Sequence, residues 1–202
     1  SSAASDVYKR QFQDTYAHYM QNYQSQIRLM IKMQFQIGVA RRICETIGTL
    51  NMPSVSEKLG QMAAQAAMVE GLVYGMESGG GYYNGYYVPD RNLMYTAQVL
   101  TQQLYPEFIT SMREIAGGGL IMLPSSVKDF ENPEIARYIH ATQNSAVGTS
   151  EEKVKFMKLA WDAIGSEFAS RHTQYEMFYA GAQFVTRLSL IHISEPTRHS
   201  DI

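Results

Sequence analysis

A chain of 202 residues with a formal net charge of −2 and a 45% hydrophobic share has the make-up of an ordinary globular core, with no basic surplus to attract nucleic acid. No apolar run reaches the ~18 residues of a membrane-crossing helix, so neither nucleic acid nor membrane is an expected partner. The single cysteine, Cys44, excludes an internal disulfide and an all-thiolate metal site within this chain.

Both ends break pattern. Residues 1–11 (SSAASDVYKRQ) and 188–202, which close in SLIHISEPTRHSDI, lack the periodicity of what they flank. They read as adapter- or vector-derived tails, which leaves 12–187 as one helical domain and removes His192 and His199 as candidate ligands.

The first predicted helix covers Phe12 to Leu50 and ends at Asn51-Met52-Pro53, where proline removes a donor and restricts its predecessor. A second restarts at Ser54, with capping-box spacing to Glu57. Val55, Leu59, Met62, Ala66, Val69, Val73 and Met76 then repeat at four-three spacing, with Ala63, Ala64 and Ala67 beside them to admit a close neighbour. Ser78 to Asp90 (SGGGYYNGYYVPD) is too rich in glycine to continue the helix and reads as turns carrying tyrosines. It suits either a surface loop packed on the bundle or an aromatic lid. A third helix spans Arg91 to Ala116, with a kink or break expected near Pro106.

Gly117-Gly118-Gly119 ends the third helix, and Pro133 suits the first turn of a short helix through Thr142. Thr149, with Glu152 three residues on, caps the last helix, which is expected to run unbroken to Gly181. Its apolar seam is Val154, Met157, Trp161, Ile164, Phe168, Tyr175 and Tyr179, interrupted by the polar turn Ser170-Arg171-His172-Thr173. No alternating strand pattern of useful length occurs. The prediction is an all-α, four-helix bundle.

The polar turn is the candidate site. Two hydroxyls, a guanidinium and an imidazole within one helical turn suit phosphate or ribityl oxygens. The same residues also suit an internal lattice, because Glu167–Arg171 and His172–Glu176 are both spaced i,i+4. The stretch Gly117–Ser126 (GGGLIMLPSS) lacks the strand, lysine and directly opening helix of a phosphate loop. Ending a helix and admitting a close neighbour is its expected task.

GGGLIMLPSS together with the helix KLAWDAIGSEFASRHTQYEMFYAG (Lys158 to Gly181) resembles the C-terminal helical domain of the 4-hydroxyphenylacetate 3-hydroxylase family. These are the oxygenase components of two-component flavin-dependent aromatic hydroxylases. The resemblance implies an acyl-CoA dehydrogenase-like fold whose C-terminal four-helix bundle builds a homotetramer. It implies a cytoplasmic enzyme that ortho-hydroxylates a phenolic substrate with dioxygen and reduced FAD (FADH2) supplied by a separate flavin reductase. It assigns FAD binding to Ser170, Arg171, His172 and Thr173. Relatives carry Gly-Arg-Gln where this chain has Ser-Arg-His, so the arginine matches and its neighbours differ. The family's substrate-side Arg, Tyr and His precede this segment, so no catalytic residue is expected here, and no turnover from the chain alone.

Two other readings stand beside it. The 4-hydroxybutyryl-CoA dehydratase and vinylacetyl-CoA isomerase branch of the superfamily places a His and a Cys as iron–sulfur ligands where this chain has His18 and Ser25. A serine hydroxyl replaces thiolate poorly, which disfavours a metal site. A non-enzymatic helical interaction module is the third reading.

Overall fold

The computed structural model describes residues 15–194. The expected tail 1–11 lies outside the described residues, as does 195–202. Among the described residues the fold is all-α apart from one small hairpin. Among the described residues, no helix is long and apolar enough to cross a membrane.

Helix α1 spans Ala17–Ile47 and stops short of the expected Leu50. Gly48 takes φ +81°, a left-handed conformation that costs glycine nothing. The amide of Thr49 then reaches the Cys44 carbonyl at 2.9 Å and that of Gly48 the Glu45 carbonyl at 3.3 Å, which closes the helix end. Helix α2 spans Pro53–Ser78. The expected Ser54 cap does not form, because Pro53, with its fixed φ and no N–H to satisfy, already occupies the first turn. The predicted stripe holds: Met62, Ala66, Val69, Val73 and Met76 are buried, while Ala63, Ala64 and Ala67 face solvent.

The expected turn region contains a short antiparallel hairpin, β1 Gly81–Tyr83 and β2 Tyr86–Val88, with Tyr82 opposite Tyr87. Asn84 at φ 48° and Gly85 at φ 82° make the mirror-image turn that matches the twist of two strands. Helix α3, Arg91–Ala116, continues through Pro106 without the break that was one expectation. The proline deprives only the Gln102 carbonyl of its helical donor. Two 3-10 turns follow, Gly117–Leu120 and Val127–Phe130, the second closed by a reciprocal Ser126–Asp129 capping box. Helix α4, Pro133–Thr142, starts on the Asn132 side chain.

The last helix does not run unbroken. It divides into α5, Ser150–Ile164, and α6, Glu167–Phe178. Thr149 and Glu152 form the expected capping box at the start of α5. At its end, the amides of Gly165 and Ser166 both turn to the Trp161 carbonyl, at 2.7 and 2.9 Å. Ser166 Oγ accepts from the Ala169 amide at 3.2 Å and so restarts the chain as an N-cap. The break rotates the expected seam: Ala169 and Glu176 are buried on α6, whereas Phe168 is 65% exposed. Helix α7, Gln183–Ser194, passes through the expected boundary at 188, and Leu190 packs against the buried Tyr19 and Tyr95 cluster.

The helices contribute to two compact units. Of the described residues, unit 1 comprises 15–32, Ala66–Tyr105 and 175–194. Within it α1 and α3 run parallel, Tyr19 against Tyr95 and Gln26 against Thr101. Its core mixes Val73, Met76, Met94 and these tyrosines with buried Asn22, Ser25, Gln26, Gln98, Gln102 and Thr186. Unit 2 comprises Met33–Gln65 and Pro106–Gln174. Its interior is mainly apolar, with Met33, Ile43, Met62, Phe108, Met112, Met157 and Ile164 essentially inaccessible. Cys44 is buried there too, and burial raises its thiol pKa. Arg113 Nε donates to the Ile164 carbonyl at 2.8 Å, supplying a partner to the C-terminal end of α5.

A Cβ at Gly165 would sit 2.5 Å from Trp161 Cε3. Gly165→Ala is therefore expected to force the indole aside and to lower unfolding free energy by about 1–3 kcal/mol. Urea denaturation followed by circular dichroism measures this, and wild-type stability would show the ring free to yield.

Candidate functional site

The polar turn lies in the first half of α6. Ser170 and Thr173 donate their hydroxyl protons back to the carbonyls of Ser166 (3.1 Å) and Ala169 (3.0 Å). Their oxygens therefore remain acceptors, and the turn's donor capacity rests on the other two side chains. His172 stands edge-on to Phe168, with ring centroids 4.3 Å apart. Arg171 is exposed, and no ion pair to Glu167 forms among the described residues. One half of the expected lattice is thus absent, and the guanidinium faces solvent.

Glu176, expected as the partner of His172, has a larger task. It is 8% exposed, and a carboxylate that deep needs cationic partners. Lys32 supplies one as an ion pair, and Arg28 a second at 3.4 Å. These cations sit one turn apart on α1, so both converge on the same carboxylate. Arg28 also donates to the Tyr175 hydroxyl and lies 4.1 Å from that ring's centroid, while Tyr175 stacks on Tyr179 at 4.5 Å. Burial raises the Tyr175 pKa, against the opposing effect of Arg28. The Lys32 ammonium further lies 5.3 Å from the Tyr105 ring. Sequence reading did not find this cluster, because its members lie far apart in the chain. The one available signal was a charged Glu within an otherwise aromatic helix end.

The α1 face that carries His18 and Ser25 is also ordered by hydrogen bonds. Asn22 Nδ2 donates to the His18 ring, 3.1 Å from Nε2, and Ser25 Oγ donates to the Asn22 carbonyl at 2.6 Å. Desolvation lowers the His18 pKa, consistent with a ring nitrogen used as an acceptor. Tyr23 donates to Glu77, and burial followed by that carboxylate pushes its pKa up to about 12.

Two stability outcomes are expected here. Glu176→Ala leaves Lys32 and Arg28 facing each other without their carboxylate and should cost about 3–5 kcal/mol, whereas Arg171→Ala should stay within about 0.5 kcal/mol of wild type. Equal losses in urea denaturation would contradict the assignment. For His18, the folded value lies below the unfolded one, so the unfolded chain takes up the proton first on acidification. Its contribution is complete above the ordinary histidine range and is lost as pH falls through it. His18→Gln should therefore flatten the stability–pH curve between about pH 7 and 5.

Residues 8–201 match the family described as 4-hydroxyphenylacetate 3-hydroxylase C terminal. The chain is 32% identical over 166 residues to the 4-hydroxyphenylacetate 3-monooxygenase oxygenase component of Pseudomonas aeruginosa, covering 81% of this chain and 32% of that protein. It is 33% identical over 180 residues to the same component from Escherichia coli, covering 88% of this chain and 35% of the relative. A crystal structure of a 4-hydroxyphenylacetate 3-monooxygenase oxygenase component complexed with FAD superposes with a TM-score of 0.86 at 27% identity, over 91% of this chain and 39% of that one. The chain thus spans about a third of the length of the curated relatives it matches. With a family match that spans nearly the whole chain and relatives above 30% identity, the chain belongs to the 4-hydroxyphenylacetate 3-hydroxylase C-terminal family.

Proposed function

We propose that this chain is the C-terminal helical region of an FAD-dependent monooxygenase that hydroxylates a phenolic substrate ortho to its hydroxyl, with reduced FAD delivered by a separate reductase. The observation that carries the reading is the family match across 8–201, joined to a guanidinium on α6 with no ion-pair partner among the described residues. Reduced flavin, when bound, supplies the oxygen-activating chemistry. Arg171 offers a charge-assisted donor to its phosphates, Ser170 and Thr173 offer acceptor oxygens to ribityl hydroxyls, and His172, held beside Phe168, completes the polar turn. This donor set fits a polyol phosphate. No residue of this chain is assigned to the substrate ring.

In a full-length enzyme, Arg171→Ala should weaken reduced-FAD binding about ten- to a hundredfold, the loss of one charge-assisted contact. Flavin affinity measured anaerobically beside a thermal melt tests it. Undiminished affinity with a lowered melting temperature sinks the cofactor role.

The assembly proposed with this function is a homotetramer. Ala63, Ala64 and Ala67 lie exposed on α2, and Ile31 and Phe35, each more than half exposed, lie on α1. Small side chains admit close helix approach, and exposed large apolar ones gain by being covered. Sedimentation at high micromolar concentration should show self-association, and a clean monomer would contradict it.

A further inference from the structure

Asn84 and Gly85 form the turn between β1 and β2, and both are exposed. They are the only asparagine–glycine pair in the sequence. The strand ladder ends at Tyr83 opposite Tyr86. Among the described residues, the Asn84 carboxamide has no hydrogen-bond partner and the Gly85 amide donates to no carbonyl. A carboxamide carbon beside a free backbone amide can be closed upon by that nitrogen into a five-membered ring. Glycine in second place leaves the nitrogen unshielded, and nothing lies within 4 Å of where a Cβ would stand. The other asparagines are held back. Asn22 is buried within α1, and the amides that follow Asn51 and Asn92 are bound to the Thr49 carbonyl and to Asp90. Asn132 caps α4 and precedes Pro133, which has no N–H, and the Asn144 side chain donates to the Ala141 carbonyl.

We propose that Asn84 is a spontaneous modification site, deamidating through a cyclic imide to aspartate and isoaspartate. The Gly85 nitrogen gives its proton to solvent base and attacks Asn84 Cγ. A bond forms between these atoms as Cγ loses its side-chain nitrogen, which takes a proton from water and leaves as ammonia. Water then adds to one of the two imide carbonyls. Opening at Cγ yields aspartate, and opening at the backbone carbonyl routes the chain through the former side chain. Ring closure needs Asn84 to rotate out of its turn conformation, and a hairpin with three residues per strand opens readily. Isoaspartate adds a backbone methylene to a two-residue turn whose register rests on φ 48° and 82°. A carboxylate also enters a recess of about 350 Å3 walled by Tyr16, Tyr83, Tyr86 and Tyr87 and lined by no charged residue. Both changes loosen the hairpin. The proposal is independent of the flavin reading of Arg171.

The test is incubation of the folded chain in neutral and mildly alkaline buffer, followed by peptide mass spectrometry and hydrogen exchange. The peptide carrying Asn84 should gain one mass unit and resolve into two products, at least tenfold faster than any other asparagine. The rate should rise with pH, because the attacking nitrogen must first lose its proton. Amides of Gly81–Val88 should then exchange at least tenfold faster than in fresh chain. Asn84→Gly keeps a turn-forming pair and should show neither the mass gain nor the faster exchange. An Asn84 peptide that keeps its mass, a rate indifferent to pH, or hairpin exchange that is unchanged after modification or quickens equally in Asn84→Gly would overturn the proposal.

Discussion

A carboxylate removed from water must be met by cations, and among the described residues that demand falls hardest on Glu176. Lys32 and Arg28 answer it from successive turns of α1, and a two-point attachment fixes both the height and the rotation of the helix that bears the carboxylate. Once Glu176 faces α1, the rest of α6 is set by helical geometry. Arg171, five residues earlier, lies about 140° around the helix axis and must point elsewhere. The exposed guanidinium is thus a consequence of the buried ion pair.

The two units are stabilised in different ways. Unit 1 relies on direction: Gln26 to Thr101, Thr186 to Gln102, Gln102 to the Gly181 carbonyl and Arg28 to Tyr175. Such pairs contribute modestly when made and penalise any arrangement that breaks them, so they select one register among many. Unit 2 relies mainly on volume, with methionine and aliphatic side chains filling its interior. Thioethers adapt to irregular gaps, which suits a region where a 3-10 turn, a loop and two short helices meet.

Features whose physics is local were legible in the sequence. The four-three stripe on α2 is buried where it was expected, and the Thr149–Glu152 box and the Pro133 start both formed, because each involves residues within a turn of one another. Errors arose where two local signals competed. At Gly165-Ser166 the apolar seam suggested continuity, yet a glycine followed by a capping serine decided the outcome. At Asn84-Gly85 glycine content suggested only a loop, although this dipeptide is also the strongest short hairpin signal. The polar turn stands out in the sequence because its four members are consecutive. The Arg28, Lys32 and Glu176 cluster was not, since its geometry exists only after α1 and α6 have docked.

Cys44 sits in the unit 2 interior with its thiol pKa raised by burial. Only the thiolate reacts, and only when reagent can reach it. Alkylation of this lone thiol must therefore wait for the surrounding helices to part. Its rate in excess reagent becomes a clock for transient opening of that interior, read at a single atom with no label introduced.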